Sequence, residues 1–319
     1  MCRLLECILI ALIAALFFVA SGAWLSDVRA QPDPVPLPVT EIAQNVFVAA
    51  GPHELATPAN ADHISNSSFV IGSNAVAVID TGGSFGVGKR LLAAIREKTA
   101  LPIRYVINTH VHPDHILGNA AFKDVGAQIV GHQNLPEALA ERAMVYLDAT
   151  RDLIGTLAFA GTEAIAPTLL VKDRTTLDLG GRQLVLDAWP VAHTNTDLTV
   201  FDDKTRTWFL GDLLFSGHIP ALDGSLKGWL TVIDALKKRS ADRVVPGHGP
   251  VSMLWPESAA PMEAYLRMLS TQVRQLLKAG DTMQEAADTA MQSERSKWAL
   301  FDEFNARNVI AAYHELEWE

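Results

Sequence analysis

The stretch "NTHVHPDHILGN", residues 108–119, sets three imidazoles (His110, His112 and His115) around the carboxylate of Asp114, in a chain that has ten histidines in all. Any fold for this chain must give these side chains a common use, because an imidazole buried without a partner is costly. A shared metal ion is the simplest use, and the missing ligands must then come from distant parts of the 319 residues. The preceding "IRYVINT", after Pro102, reads as a β-strand, so the cluster begins at a strand's carboxyl end. Open α/β sheets commonly hold their sites there.

Three further candidates repeat that placement. His193 in "PVAHTNTDL", Asp212 in "FLGDLLF" and His248 in "VVPGHGPV" each follow a short strand-like run. Together with the first cluster they make five imidazoles and two carboxylates, enough for two metal ions. Taken singly, His193 and His248 would read as ordinary core or surface residues. No thiolate competes for the role, since Cys2 and Cys7 both lie in the N-terminal apolar segment. Zinc accepts histidine and carboxylate ligands, and a catalytic site leaves one position for water whose pKa falls to about 7. Two ions roughly 3.5–4 Å apart can share a hydroxide that attacks a carbonyl, and can offset charge on both the attacking and the leaving oxygen. Asp114 then has a second use as the catalytic carboxylate that orients the nucleophile and moves its proton.

Around these motifs the chain alternates. "NVFVAAG" and "SSFVIGSNAVAVIDTGGS" read as strands with turns at Gly72–Asn74 and Gly82–Gly83, and "VGKRLLAAIREKTA" as an amphipathic helix. "AQIVGH" is a strand and "LPEALAERAMVYLDATRDLIGTL" a helix. Hairpins turn at Gly180–Gly181 and at Asp202–Thr205, and "SLKGWLTVIDALKKRS" is a helix capped by Ser225. From Pro256 the strands stop and helices run to Glu319. Trp229, Trp298 and Trp318 read as core anchors. His53 and His63, in "GPHELATPANADHISN", read as solvated loop residues. His132 reads as a packing residue, His218 as a pocket neighbour and His314 as a surface residue.

The first thirty residues differ in kind. "ILIALIAALFFVA" (Ile8 to Ala20) follows Arg3 and precedes small residues, with Val28 and Ala30 suiting cleavage before Gln31. This is the pattern of a secretory signal peptide; an uncleaved N-terminal membrane anchor is the alternative. Export makes the mature chain periplasmic and free of cysteine, so its stability must come from its core. The net charge of -10 survives cleavage, because Arg3 and Arg29 balance Glu6 and Asp27. Such an acidic surface argues against nucleic acid as a partner. "QPDPVPLPVT" is a proline-rich linker.

The ordered set H-x-H-x-D-H, a lone His, Gly-Asp and Gly-His resembles the metallo-β-lactamase-fold hydrolase superfamily over about residues 40–250. The phrases "VAVIDTGGS", "PALDGSLKGWL" and "ALFDEFNARNV" with "ELEWE" resemble, more narrowly, the exported quinoprotein relay system zinc metallohydrolases. The resemblance implies a four-layer αββα sandwich (an α/β fold) with a C-terminal helical extension. Its divisions are a signal peptide (1–30), a linker (31–40), a catalytic domain (41–255) and the extension (256–319). It implies two zinc ions, with His110, His112 and His193 on the first, Asp114, His115 and His248 on the second, and Asp212 between them. Asp80 in "VIDTGG" would orient the ligand loop from behind; a turn-capping aspartate is the alternative. An aspartate at 212 resembles the glyoxalase II and lactonase branches. The best-known zinc β-lactamases of this fold carry cysteine or serine there and often a lysine just after it, whereas Leu213 to Ser216 offer no cation. The di-iron members place a carboxylate where this chain has His112. The resemblance therefore implies hydrolysis of a small ester, thioester or lactone, in association with a pyrroloquinoline-quinone-dependent dehydrogenase system. A weak β-lactamase and a non-hydrolytic periplasmic metal- or cofactor-binding accessory are the alternatives.

Overall fold

The computed structural model describes residues 34–319. The leader-like segment, both cysteines and the cleavage position near Ala30 lie outside the described residues. Where described, the proline-rich stretch has no regular structure before Thr40, yet Leu37 is buried and its N–H bonds the carbonyl of Arg90.

Two sheets are stacked face to face. The first has seven strands in chain order: β1 (Thr40–Ala43), β2 (Val46–Ala49), β3 (Ser67–Ile71), β4 (Val76–Ile79), β5 (Ile103–Ile107), β6 (Gln128–His132) and β7 (Leu169–Val171). It is antiparallel as far as β4 and parallel from β4 to β7. The second has five: β8 (Arg174–Asp178), β9 (Gln183–Ala188), β10 (Leu198–Asp202), β11 (Thr207–Phe215) and β12 (Arg243–His248), with β12 parallel to β11. The β8–β9 hairpin turns on Gly180 and Gly181, both at positive φ that a glycine adopts without steric cost. The β10–β11 hairpin turns at 203–206, as the run of polar residues there predicts.

Between the sheets lies an apolar layer that includes Val46, Ile79, Ile107, Leu186, Val200 and Phe209. Helix α1 (Phe85–Lys98) covers the outer face of the first sheet, Leu91 and Ile95 packing on Phe69, Val78 and Val106. The Ser84 side chain caps α1 by accepting the N–H of Val87. The outer face of the second sheet is covered by α4 (Leu226–Leu236), α5 (Ala260–Ala279) and α7 (Phe301–Leu316), with α6 (Met283–Thr289) between the last two. Trp208, Trp229, Leu266 and Val309 belong to this one apolar cluster, so the C-terminal helices share a core with the sheet. Full burial of each such side chain contributes about 1.5–3 kcal/mol. A four-layer αββα arrangement with helices added at the C-terminus results. A short helix, α2 (Pro113–Ile116), and a long one, α3 (Leu135–Phe159), stand over the rim where β5 and β6 end. Trp229 and Trp298 are buried as expected, but Trp318 is 85% exposed and anchors nothing.

The sheets are also joined by a buried ion pair. Arg182 and Asp202 are both almost fully buried, with Arg182 Nη2 2.6 Å from Asp202 Oδ2. Arg182 Nη1 also donates across to the carbonyls of Gln44 and Ile71, each at 3.0 Å, on the first sheet. Burial raises the Asp202 pKa, but the Arg182 guanidinium and Thr205 outweigh it and hold the carboxyl below its usual value of 3.8. The carboxylate's contribution is therefore complete above about pH 4 and is lost as pH falls through the lowered value. Arg182→Met strands that carboxylate, and should destabilise the protein by about 3–5 kcal/mol in denaturant melts at neutral pH.

Candidate metal centre

The strand ends carry the candidate ligands to one spot. His110 and His112 follow β5, Asp114 and His115 lie in α2, His193 follows β9, Asp212 lies within β11 and His248 ends β12. They form two groups: His110, His112, His193 and Asp212, and Asp114, His115 and His248. In the first, His112 Nδ1 lies 3.1 Å from His110 Nε2 and 3.0 Å from His193 Nε2. In the second, Asp114 Oδ2 lies 3.3 Å from His115 Nε2 and 3.2 Å from His248 Nε2. Asp212 reaches both, with Oδ2 3.3 Å from His193 Nε2 and Oδ1 3.3 Å from His115 Nε2. It can sit so low only because position 247 is glycine: a Cβ there would fall 1.8 Å from Asp212 Oδ1.

Each imidazole is oriented from behind by its other nitrogen. Nδ1–H of His110 donates to Thr109 Oγ1 (3.0 Å), that of His193 to the Ala221 carbonyl (2.7 Å), that of His115 to Asp80 Oδ2 (2.8 Å) and that of His248 to the Ile64 carbonyl (3.1 Å). His112 is turned the other way, with Nε2–H donating to Asp223 Oδ2 at 3.0 Å. Five lone pairs consequently face inward, the arrangement by which ligating histidines are usually fixed. His115 Nε2 and Asp212 Oδ1 are sealed from solvent and have no hydrogen-bond partner among the described residues. Buried polar atoms are rarely left so. Inward lone pairs, orphaned atoms and a mixed imidazole–carboxylate donor set together fit divalent cations such as zinc.

The electrostatics agree with neutral imidazoles at His110 and His193. Burial pushes His193 down to about 3 and His110 well below its usual value. Burial raises Asp114 and Asp212, but His115 and His248 beside them hold both carboxyls well below the usual range.

Asp80 adopts positive φ (56°), a conformation that aspartate tolerates better than most residues. Its carboxylate accepts from Thr109 N (2.8 Å), Thr109 Oγ1 (2.7 Å) and His115, and so ties β4 to the histidine turn. Of the other histidines, His218 lines the adjoining cavity, while His132 is buried away from it and accepts the N–H of Asn134. His314 is exposed. His63 is buried rather than solvated, because its loop folds inward against α1.

Above the cluster opens a cavity of about 720 Å³, walled by α3, the loop before β3, the segment 221–223 and the start of α7. Several of its residues escape a sequence reading. Asp62 is buried, and burial, then Asp114, pushes its carboxyl up to about 7. Asp223 accepts from both His112 and Arg142, and Arg142 in turn donates to Tyr146. Asn308 and Phe304 come from α7. Asp223 stood in the quoted "LDGS", but nothing in that phrase pairs it with a histidine 111 positions earlier. Asp80→Ala should orphan the buried Thr109 N–H and free the His115 ring, lowering stability by about 1–3 kcal/mol in chemical denaturation.

The model of the metallo-beta-lactamase superfamily matches residues 61–248. The linear primary-alkylsulfatase of Pseudomonas sp. is 24% identical over 211 residues, which is 55% of this chain and 40% of the sulfatase. The chain therefore spans less than half of that relative's length. The acyl-coenzyme A thioesterase MBLAC2 of Bos taurus is 26% identical over 216 residues, 58% of this chain and 72% of the thioesterase. Among solved structures, a metallo-beta-lactamase from Pontibacter korlensis superposes with a TM-score of 0.59 at 23% identity, covering 72% of this chain and 99% of that one. The matched span runs from the loop before β3 to the last candidate ligand, and with it the chain belongs to the metallo-beta-lactamase superfamily.

Proposed function

We propose that this protein is a dinuclear zinc hydrolase acting on the carbonyl of a small ester, thioester or lactone. The observation that carries the reading is the pair of donor groups, joined through Asp212, at the floor of an open cavity. His110, His112 and His193 hold one ion, Asp114, His115 and His248 the other, and Asp212 serves both. Bound zinc supplies Lewis acidity toward the carbonyl oxygen and lowers the pKa of a water to about 7. The chain's residues do the rest. Asp114 lies on the cavity wall with Oδ2 committed to His115 and His248. Its Oδ1 has no such partner and takes the proton of the attacking water, then returns it to the leaving group. His218, with Nδ1–H committed to the Ile219 carbonyl, presents an acceptor nitrogen beside the substrate. Phe304, Leu300 and Leu153 give the cavity an apolar wall suited to an acyl chain.

The thioesterase relative supports an acyl substrate, and the alkylsulfatase relative makes an alkyl sulfate the second substrate class to assay. A β-lactam is less well served. Leu213, Leu214 and Phe215 are buried and offer no cation, and of the cavity's two arginines Arg142 is already engaged by Asp223 while Arg307 stands on α7 rather than on the strand that carries Asp212. The apolar leader supports export, and the "LDGS" and C-terminal phrases support a periplasmic link to a quinoprotein dehydrogenase. A mature N-terminus at Gln31, read by Edman sequencing of exported protein, is the expected outcome.

Purified protein should carry about two equivalents of zinc and lose ester, thioester or lactone hydrolysis on chelation, with recovery on adding zinc back. Asp114→Asn, assayed with saturating zinc, should lower kcat by about 10²–10⁴-fold. Activity that survives exhaustive chelation would sink the reading.

A further inference from the structure

We propose that Asn308, on the C-terminal helix α7, is a positioning residue for one half of the metal centre. It grips the loop Ile219–Asp223, and that loop orients His193 and His112. The inference rests on the dinuclear reading above and assigns the C-terminal extension a part in the site.

Asn308 is 1% exposed, and its amide makes three hydrogen bonds, two of them to the loop. Its Oδ1 accepts the N–H of Leu222 at 2.9 Å, and its Nδ2 donates to the carbonyl of Pro220 at 2.7 Å and to Tyr265 Oη at 3.0 Å. The two loop bonds bracket Ala221. The Ala221 carbonyl is the acceptor for His193 Nδ1–H, at 2.7 Å. Two residues further on, Asp223 accepts His112 Nε2–H at 3.0 Å. Beyond the loop, Glu315 holds the start of α4, accepting from Ser225 Oγ and Leu226 N, each at 2.6 Å. Asn308 and Glu315 are seven residues apart, so they lie on the same face of α7. One helix face therefore fastens both ends of the segment that orients two candidate ligands.

The chemistry of those contacts is directional. A carbonyl only accepts, so the Ala221 contact keeps the His193 proton on Nδ1 and its lone pair, on Nε2, facing the cluster. The Asp223 contact does the reverse for His112, whose inward nitrogen is Nδ1. A shift of this loop by a few tenths of an ångström would loosen both rings at once. The second donor group is oriented from elsewhere: His115 by Asp80 on the first sheet, and His248 by the Ile64 carbonyl. An asparagine that served packing alone could be replaced by an apolar residue, whereas here its removal orphans a buried N–H and a buried carbonyl.

Zinc titration against a chromogenic chelator, with wild type and three variants, tests this. Asn308→Ala removes the grip. Asn308→Asp keeps the shape and the Leu222 bond but sets an oxygen against the Pro220 carbonyl. Val309→Ala, on the same helix and buried in the core, loses stability while leaving both Asn308 bonds to the loop in place. Wild type should take up two equivalents. In both Asn308 variants one equivalent should bind about 10–100-fold more weakly while the other is unchanged, and Val309→Ala should keep both. The strap is overturned if both Asn308 variants retain both affinities, or if the two equivalents weaken together in proportion to the loss of thermal stability, as a structural role requires. A wild-type protein that takes up no zinc overturns the dinuclear reading, and the strap with it.

Discussion

Five imidazoles and two carboxylates gathered in a buried space desolvate one another, and the contacts within the cluster do not fix how each ring is turned. What holds it is the outward hydrogen bond on each ring. Thr109, Asp80, Ile64, Ala221 and Asp223 each take one imidazole proton, and they come from loops that adjoin strands of both sheets. The cluster is therefore as rigid as the stacking of the two sheets beneath it. The Arg182 clamp and the apolar layer between the sheets serve the site even though neither approaches it.

That dependence explains where the structure tolerates strained or unbonded groups. Asp80 keeps a left-handed backbone so that its carboxylate can reach Thr109 and His115 together. Position 247 gives up its side chain so that Asp212 can lie between the two donor groups. His115 Nε2 and Asp212 Oδ1 go without hydrogen bonds at full burial. Each is unfavourable for an empty fold and sensible for one that receives a divalent cation. The cavity above is asymmetric. One wall is α3 and the opposite wall is the start of α7, so the helices following the sandwich shape the space a substrate would enter.

Elements with a strong local pattern were legible in the chain. The amphipathic run after Ser84, the Gly180–Gly181 turn and the β-branched strands from Ser67 to Ile79 all formed where periodicity and turn chemistry place them. Strand β7 was not legible. It has three residues and no alternation, and it exists because β6 offers it a free edge. His63 was misjudged for a similar reason: a polar, proline-containing loop reads as solvated, yet it folds over an apolar face.

At the site the division is sharper. Sequence by itself determined which side chains can bind metal, because histidine and aspartate on successive strand-like runs are chemically unambiguous, whereas bringing the runs of two sheets to one rim was the work of the fold. It determined that residues 34–319 carry no thiol, and it placed the chain in its superfamily. Only the tertiary structure decided how most of those groups are oriented, since, Asp80 apart, the partners are backbone carbonyls, a neighbouring hydroxyl and a remote carboxylate that carry no motif. Asp223 meets His112, and Asn308 meets the loop before α4, through packing of α7 on the second sheet. A contact between residues so far apart depends on the sum of many apolar burials along the way, and no local stretch of sequence encodes that sum.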